Sequence, residues 1–117
     1  MSKKIEFGMW GEQLAHRYLK EKGYKILFRN WRSRKAEVDL IAYFEHRIIF
    51  IEVKTRENTN YGEIISFITN KKIALLRQAI EDFLNKYNLD LEAQIDIICI
   101  EGDKNKYNIE WIEQAID

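Results

Sequence analysis

Apolar residues recur along this chain with two different periods, and the periods divide it into elements. From Glu6 to Lys22 they fall at Phe7, Trp10, Leu14 and Tyr18, near helical spacing, and Gly23 stands where such a helix ends. Tyr24–Trp31 (YKILFRNW) is rich in aromatic and branched residues and predicts a strand. Two more strands are predicted around Glu37–Tyr43 and Ile48–Thr55, followed by an irregular loop over Glu57–Ser66. A second helix is expected from about Asn70 to Tyr87. Its apolar face is Ile73, Leu76, Ile80, Phe83, Leu84 and Tyr87, with Thr69 as N-cap. Gln94–Ile100 is nearly all apolar, as in a strand covered on both sides, and a last strand is expected near Tyr107–Ile112. The order α-β-β-β-α-β-β predicts an α/β fold with a mixed sheet of about five strands flanked by helices. The long helix would serve as a parallel crossover between the third and fourth strands.

With 117 residues, no proline and no low-complexity linker, residues 1–117 read as one domain. A hydrophobic share of 46% is enough for a core and argues against wholesale disorder. No apolar run approaches a membrane span, and MSKKIE lacks the apolar stretch of a signal peptide, so a cytoplasmic protein with no membrane partner is expected. The lone Cys99, inside IDIICIE, cannot pair within the chain and reads as a buried strand residue. Net charge is zero but unevenly spread. Residues 90–117 hold eight acids against two lysines, −6, which leaves +6 on the first 89. That asymmetry fits one face for a polyanion; an ordinary solvated surface fits it as well.

Chemistry concentrates in EVDLIA (37–42) and IEVKTR (51–56). A hairpin centred on Glu45-His46 sets Asp39 opposite Glu52, Ile41 opposite Phe50 and Glu37 opposite Lys54. Alternation then puts Asp39, Glu52 and Lys54 on one face, with Val38, Leu40, Ile51 and Val53 pointing the other way into a core. Two opposed carboxylates on a half-buried face raise each other's pKa or need a cation between them. A divalent ion such as Mg²⁺ resolves the conflict, and Lys54 beside it is placed to orient the attacking water or to neutralise phosphate charge. An ion-pair cluster, with Lys54 bridging Glu37 and Glu52, is the competing reading. Arg56, Lys71 and Lys72 are candidate phosphate contacts. The two lysines sit in a helix's first turn, where cations oppose the macrodipole and a phosphate relieves the placement. Arg29, Arg32 and Arg34 with Trp31 form a further candidate backbone-contacting strip, or a solvated strand edge. His16 and His46 show no metal-ligand spacing.

An acidic residue on an early helix, then D, then ExK on the next strand resembles the PD-(D/E)xK nuclease superfamily and its restriction-endonuclease-like fold. The full run resembles the bacterial YraN family more closely. The matching pieces are GxxGE (8–12), AxxYL (15–19), GYKIL (23–27), NWR (30–32), EVDLIA (37–42), FIEVKTR (50–56), YG (61–62) and the lysines at 71–72. The resemblance implies Asp39 and Glu52, with the Val53 carbonyl, as ligands for Mg²⁺ (Mn²⁺ as substitute). It implies Lys54 as catalytic lysine and Glu12 as the acidic helix residue of archaeal Holliday-junction resolvases, and it leaves a homodimer open. The superfamily's proline is replaced here, since Glu37-Val38 precedes Asp39. Helical geometry puts Glu12 on the border of the apolar stripe, beside Gly8, Ala15 and Leu19, where it serves the site or pairs with His16. Glu37 either orients Lys54 or makes a cross-strand ion pair. The expected activity is metal-dependent phosphodiester hydrolysis on nucleic acid, DNA first and structure-selective by the resemblance. The alternative is a nucleic-acid-binding domain on the same fold that does not cleave.

Overall fold

The computed structural model of the protein describes residues 2–57 and 68–116. The loop expected at 57–66, apart from Glu57, and the YG pair at 61–62 lie outside them.

Helix α1 spans Lys3–Glu21, three residues earlier than the apolar spacing predicts, because the Ser2 side chain accepts the Ile5 N–H and caps it. Gly23, at φ +92°, lets the chain leave the helix in a conformation other residues adopt with strain. Strands β1 (Lys25–Ser33), β2 (Ala36–Phe44) and β3 (Arg47–Arg56) follow, then α2 (Asn70–Lys86), β4 (Glu92–Gly102) and β5 (Tyr107–Ile116). Thr69 caps α2 as expected, accepting the Lys72 N–H at 3.1 Å. The strands form one mixed sheet in the order β1-β2-β3-β4-β5. β1, β2 and β3 run antiparallel, β3 and β4 are parallel through the α2 crossover, and β5 returns antiparallel. This is the predicted fold class, consistent with a restriction-endonuclease-like arrangement.

The β2–β3 hairpin closes on Glu45 and His46 themselves, both with positive φ (48° and 63°), so a two-residue turn suffices despite its side chains. Its register pairs Ile41 with Phe50 and Leu40 with Ile51, as the sequence predicts. Each face of the sheet carries one helix. Leu14, Ala15 and Leu19 of α1 pack on Leu40, Ala42, Ile49, Ile51 and Val53; Leu76, Ala79 and Phe83 of α2 pack on Ile41, Ile48 and Phe50. The buried stripe of α1 is Gly11, Leu14, Ala15 and Leu19 rather than Phe7, Trp10, Leu14 and Tyr18. Small residues permit the closer approach to the sheet, and the bulky aromatics settle at the flank: Phe7 stacks on Trp10, and Tyr18 meets Trp111 edge-on.

Val38 corrects the expected alternation. It is fully buried, but in the cluster beneath α2, whereas Leu40, two residues on, lies beneath α1. The same switch occurs across the ladder, where Arg29 pairs with Leu40 and Trp31 with Val38. Between them stands Asn30 at φ 50°, a left-handed conformation that asparagine tolerates better than most residues. That kink reverses the face presented by the far ends of β1 and β2. Asp39 sits at the reversal.

Candidate active site

The β2–β3 ladder runs from Phe44/Arg47 to Leu40/Ile51 and goes no further. Beyond it Asp39 does not pair with Glu52 through the backbone. Instead its Oδ2 accepts the Val53 N–H at 2.8 Å, so a side chain takes the place of a ladder partner and the strands diverge. The fork so formed is open to both helices. Glu52 and Lys54 reach it from the side of the sheet that bears Phe50 and α2, and Lys72 comes down from the first turn of α2. Glu12 comes from α1 on the other face, near enough to Asp39 for the two carboxylates to raise each other's cost of ionisation. Gly11 explains that approach: a Cβ there would stand 2.0 Å from the Thr55 hydroxyl oxygen and 3.0 Å from its Cβ, so only glycine lets α1 lie this close to β3.

Burial governs the electrostatics. Glu52 is only 2% exposed, and burial raises its pKa above the ordinary carboxylate range, with the nearby Asp39 charge adding to the shift and Lys72 and Lys54 opposing it. Asp39 is raised for the same first reason, against the lowering effects of the Val53 N–H, Lys54 and Lys72. Lys54 is half-buried, and desolvation followed by the Lys72 charge moves its pKa down. Lys72 responds differently. Burial works against its charge, but the Glu52 carboxylate outweighs it and raises the pKa. The Lys72 ammonium meets Glu52 Oε2 at 2.9 Å. Among the described residues, Glu52 Oε1 is buried and finds no hydrogen-bond partner. Glu12 is raised by burial and then by Asp39, while Arg29 and the Asn30 side chain act to lower it.

The remaining predicted residues separate. Glu37 does not join Lys54; it forms an exposed ion pair at 3.2 Å with Arg32, its cross-strand neighbour on β1. The β2–β3 divergence carries it away from β3. Arg34 pairs with Asp82 of α2 at 3.4 Å, so Arg32 and Arg34, two of the three strip arginines, face acids of this chain. Arg56 donates to the Thr55 carbonyl at 2.8 Å. Lys71 is exposed to solvent, one residue from the inward-turned Lys72. Cys99 is a free, buried strand residue, and burial pushes its thiol pKa up. His46 contacts the Tyr43 hydroxyl at 3.2 Å, remote from the fork.

The sequence names Lys72 as a candidate phosphate contact, and the structure adds that its ammonium pairs with Glu52. Asn30 carries a signal that strand periodicity passes over, since an asparagine inside a strand pattern favours a left-handed kink.

Among the described residues no three acid, histidine or cysteine side chains converge to enclose a cation on their own. The donor set is Asp39 and Glu52. That suits magnesium, which keeps several waters and takes substrate oxygen rather than a complete protein cage. The unpartnered Glu52 Oε1 is the feature such an ion would satisfy.

Comparison with known proteins gives a consistent lineage. The chain is 42% identical to a UPF0102 protein of Phocaeicola vulgatus over 115 residues, covering 98% of this chain and 95% of the relative. It is 37% identical over 115 residues to one from Flavobacterium psychrophilum, covering 98% and 97%. A Syntrophomonas wolfei relative is 39% identical over 106 residues, covering 88% and 92%. The model of the uncharacterised protein family UPF0102 matches residues 11–100, a span holding Glu12, Asp39, Glu52, Lys54 and Lys72. The chain belongs to family UPF0102.

Proposed function

We propose that this protein is a metal-dependent nuclease that hydrolyses phosphodiester bonds of nucleic acid, DNA in the first instance and structured forms in particular. One observation carries the reading: Asp39 and Glu52 are desolvated together in a fork of the sheet, with raised pKa values, two lysines beside them and one buried carboxylate oxygen that has no partner among the described residues. Stability alone gives no reason to bury two like charges together, and function does. A bound Mg²⁺ would supply Lewis-acid stabilisation of the phosphate and lower the pKa of its water.

The chain's own residues divide the remaining work. Asp39 is held by the Val53 N–H, which fixes one of its oxygens. Glu52 is anchored by burial on the adjacent strand. Lys54, with its pKa lowered, is poised to orient a water or accept its proton. Glu12 closes the fork from α1, its raised pKa suiting it to hold a proton or a water at the opposite side of Asp39. The test is to incubate the purified protein with branched and linear DNA plus Mg²⁺ or Mn²⁺. Cleavage should fall by 10²-fold or more, to order of magnitude, in Asp39→Ala, Glu52→Ala and Lys54→Ala. Cleavage that survives the two carboxylate changes rejects the assignment.

The internal neutralisation of Glu52 by Lys72 favours one second reading, a nucleic-acid-binding domain that does not cleave. Salt-sensitive binding of DNA with no metal-dependent product would select it.

A further inference from the structure

Lys72 occupies an unusual position for a lysine in a helix's first turn. Its backbone N–H is held by the Thr69 cap, and its side chain reaches the fork. There its ammonium lies 2.9 Å from Glu52 Oε2, with a side chain 35% exposed against 3% for Glu52. The same lysine lines a cleft of about 170 Å³ with Lys35, Ala36, Glu37, Leu75 and Leu76. It therefore stands at the boundary between a buried carboxylate pair and an open, partly basic recess.

From this we infer that Lys72 is the resident cation of the site: it neutralises Glu52 while no divalent ion is held, competes with such an ion, and when displaced turns into the cleft beside Lys35 to meet a substrate phosphate. The inference rests on the metal reading of Asp39 and Glu52. The physical reason is that two desolvated carboxylates require positive charge at all times. Asp39 already has the Val53 N–H, while Glu52 has only Lys72 on one oxygen and, among the described residues, nothing on the other. An ammonium at contact distance must weaken the binding of a second cation by direct repulsion, and the penalty grows in a low-dielectric site. Its release during loading places a charge where the phosphate arrives. Charge on the protein is conserved throughout; only the partner of Lys72 changes.

Calorimetric titration with Mn²⁺ alone, in the absence of nucleic acid, tests this. Lys72→Met should bind Mn²⁺ about tenfold more tightly than the unaltered protein, because the competing charge is gone. Lys72→Arg should stay near the unaltered value. In Ca²⁺, where cleavage is suppressed, Lys72→Met should bind a short DNA duplex more weakly, with a salt slope smaller by about 0.9. Equal or weaker Mn²⁺ binding by Lys72→Met, with normal binding by the unaltered protein, removes the resident-cation role and leaves the metal reading standing. An unchanged duplex affinity and slope removes the phosphate half. If no form binds Mn²⁺, the metal reading itself falls and takes this inference with it. Should Lys72→Met fail to fold, Lys72→Gln makes the same comparison, since it still donates to Glu52 but carries no charge.

Discussion

At the scale of the residue, the site depends on substitutions that look minor in the sequence. Gly11 and Gly8 both sit in α1 within GxxGE, and their surroundings are opposite. A Cβ at Gly11 would collide with Thr55, whereas one at Gly8 meets nothing within 4 Å. Gly11→Ala is therefore expected to destabilise the protein by about 1–3 kcal/mol and to move Glu12 away from the fork. Gly8→Ala should stabilise it by about 0.5–1 kcal/mol, since alanine is the better helix former. Urea denaturation of the two variants checks the pair, and equal signs would refute the close-approach account. The chemical types at Asp39, Glu52 and Lys54 were legible from EVDLIA and IEVKTR, because strand alternation is a local rule. Lys72's partner was not, since Lys72 lies 20 positions beyond Glu52, on a different element.

At the scale of the element, periodicity located every helix and strand among the described residues, with ends misjudged by a few positions. Capping and turn geometry decide those ends: Ser2 extends α1, and positive φ at Glu45 and His46 tightens the hairpin. The tail of β5 shows a different control. Asp96, fully buried in β4, accepts from Trp111 Nε1 at 2.8 Å, the Gln114 N–H at 2.9 Å and Gln94 Nε2 at 2.9 Å. Gln94 in turn accepts from Arg47 at 2.9 Å, tying the latch to β3. Gln114 has φ 48°, and the β4–β5 register shifts between Ile95 and Ile97, so this carboxylate supplies the bonds that an irregular ladder lacks. Asp96→Ala should cost about 3 kcal/mol, because it leaves buried donors without acceptors. Amide hydrogen exchange should accelerate first in residues 111–116. Uniform acceleration across all strands would argue instead for a general loss of packing. The sequence signal is an acid, Asp96, within the apolar run of Gln94–Ile100.

At the scale of the whole molecule, the fork stores an electrostatic cost that depends on pH. Asp39 and Glu52 have folded-state pKa values raised above the ordinary carboxylate range, so the folded form binds protons more tightly than the unfolded chain. Below about pH 4 both states are protonated and the cost is absent. As pH rises from there through the raised values, the folded protein loses stability relative to the unfolded one. Asp39→Asn, which keeps an oxygen for the Val53 N–H, should then stabilise the metal-free protein by about 1 kcal/mol at neutral pH and have little effect near pH 4. Thermal melts at both pH values test this, and a benefit that is the same at both would rule out carboxylate repulsion as its cause. The uneven charge of the chain also acquires a place: basic β1 and the more acidic β5 form the two opposite edges of the sheet.

The sequence alone determined the element order, the parallel crossover, the hairpin register as far as Leu40/Ile51, and the residue types gathered at the fork. Those features follow from periods of 2 and 3.6 and from neighbouring segments, which act over a few residues. Tertiary structure decided where β2 and β3 part, which face Val38 takes, and that Glu12 and Lys72 arrive from opposite helices. These depend on a left-handed Asn30, on Gly11 against Thr55 and on a side chain replacing a ladder bond. Such contacts join residues distant in sequence, and no local pattern encodes them.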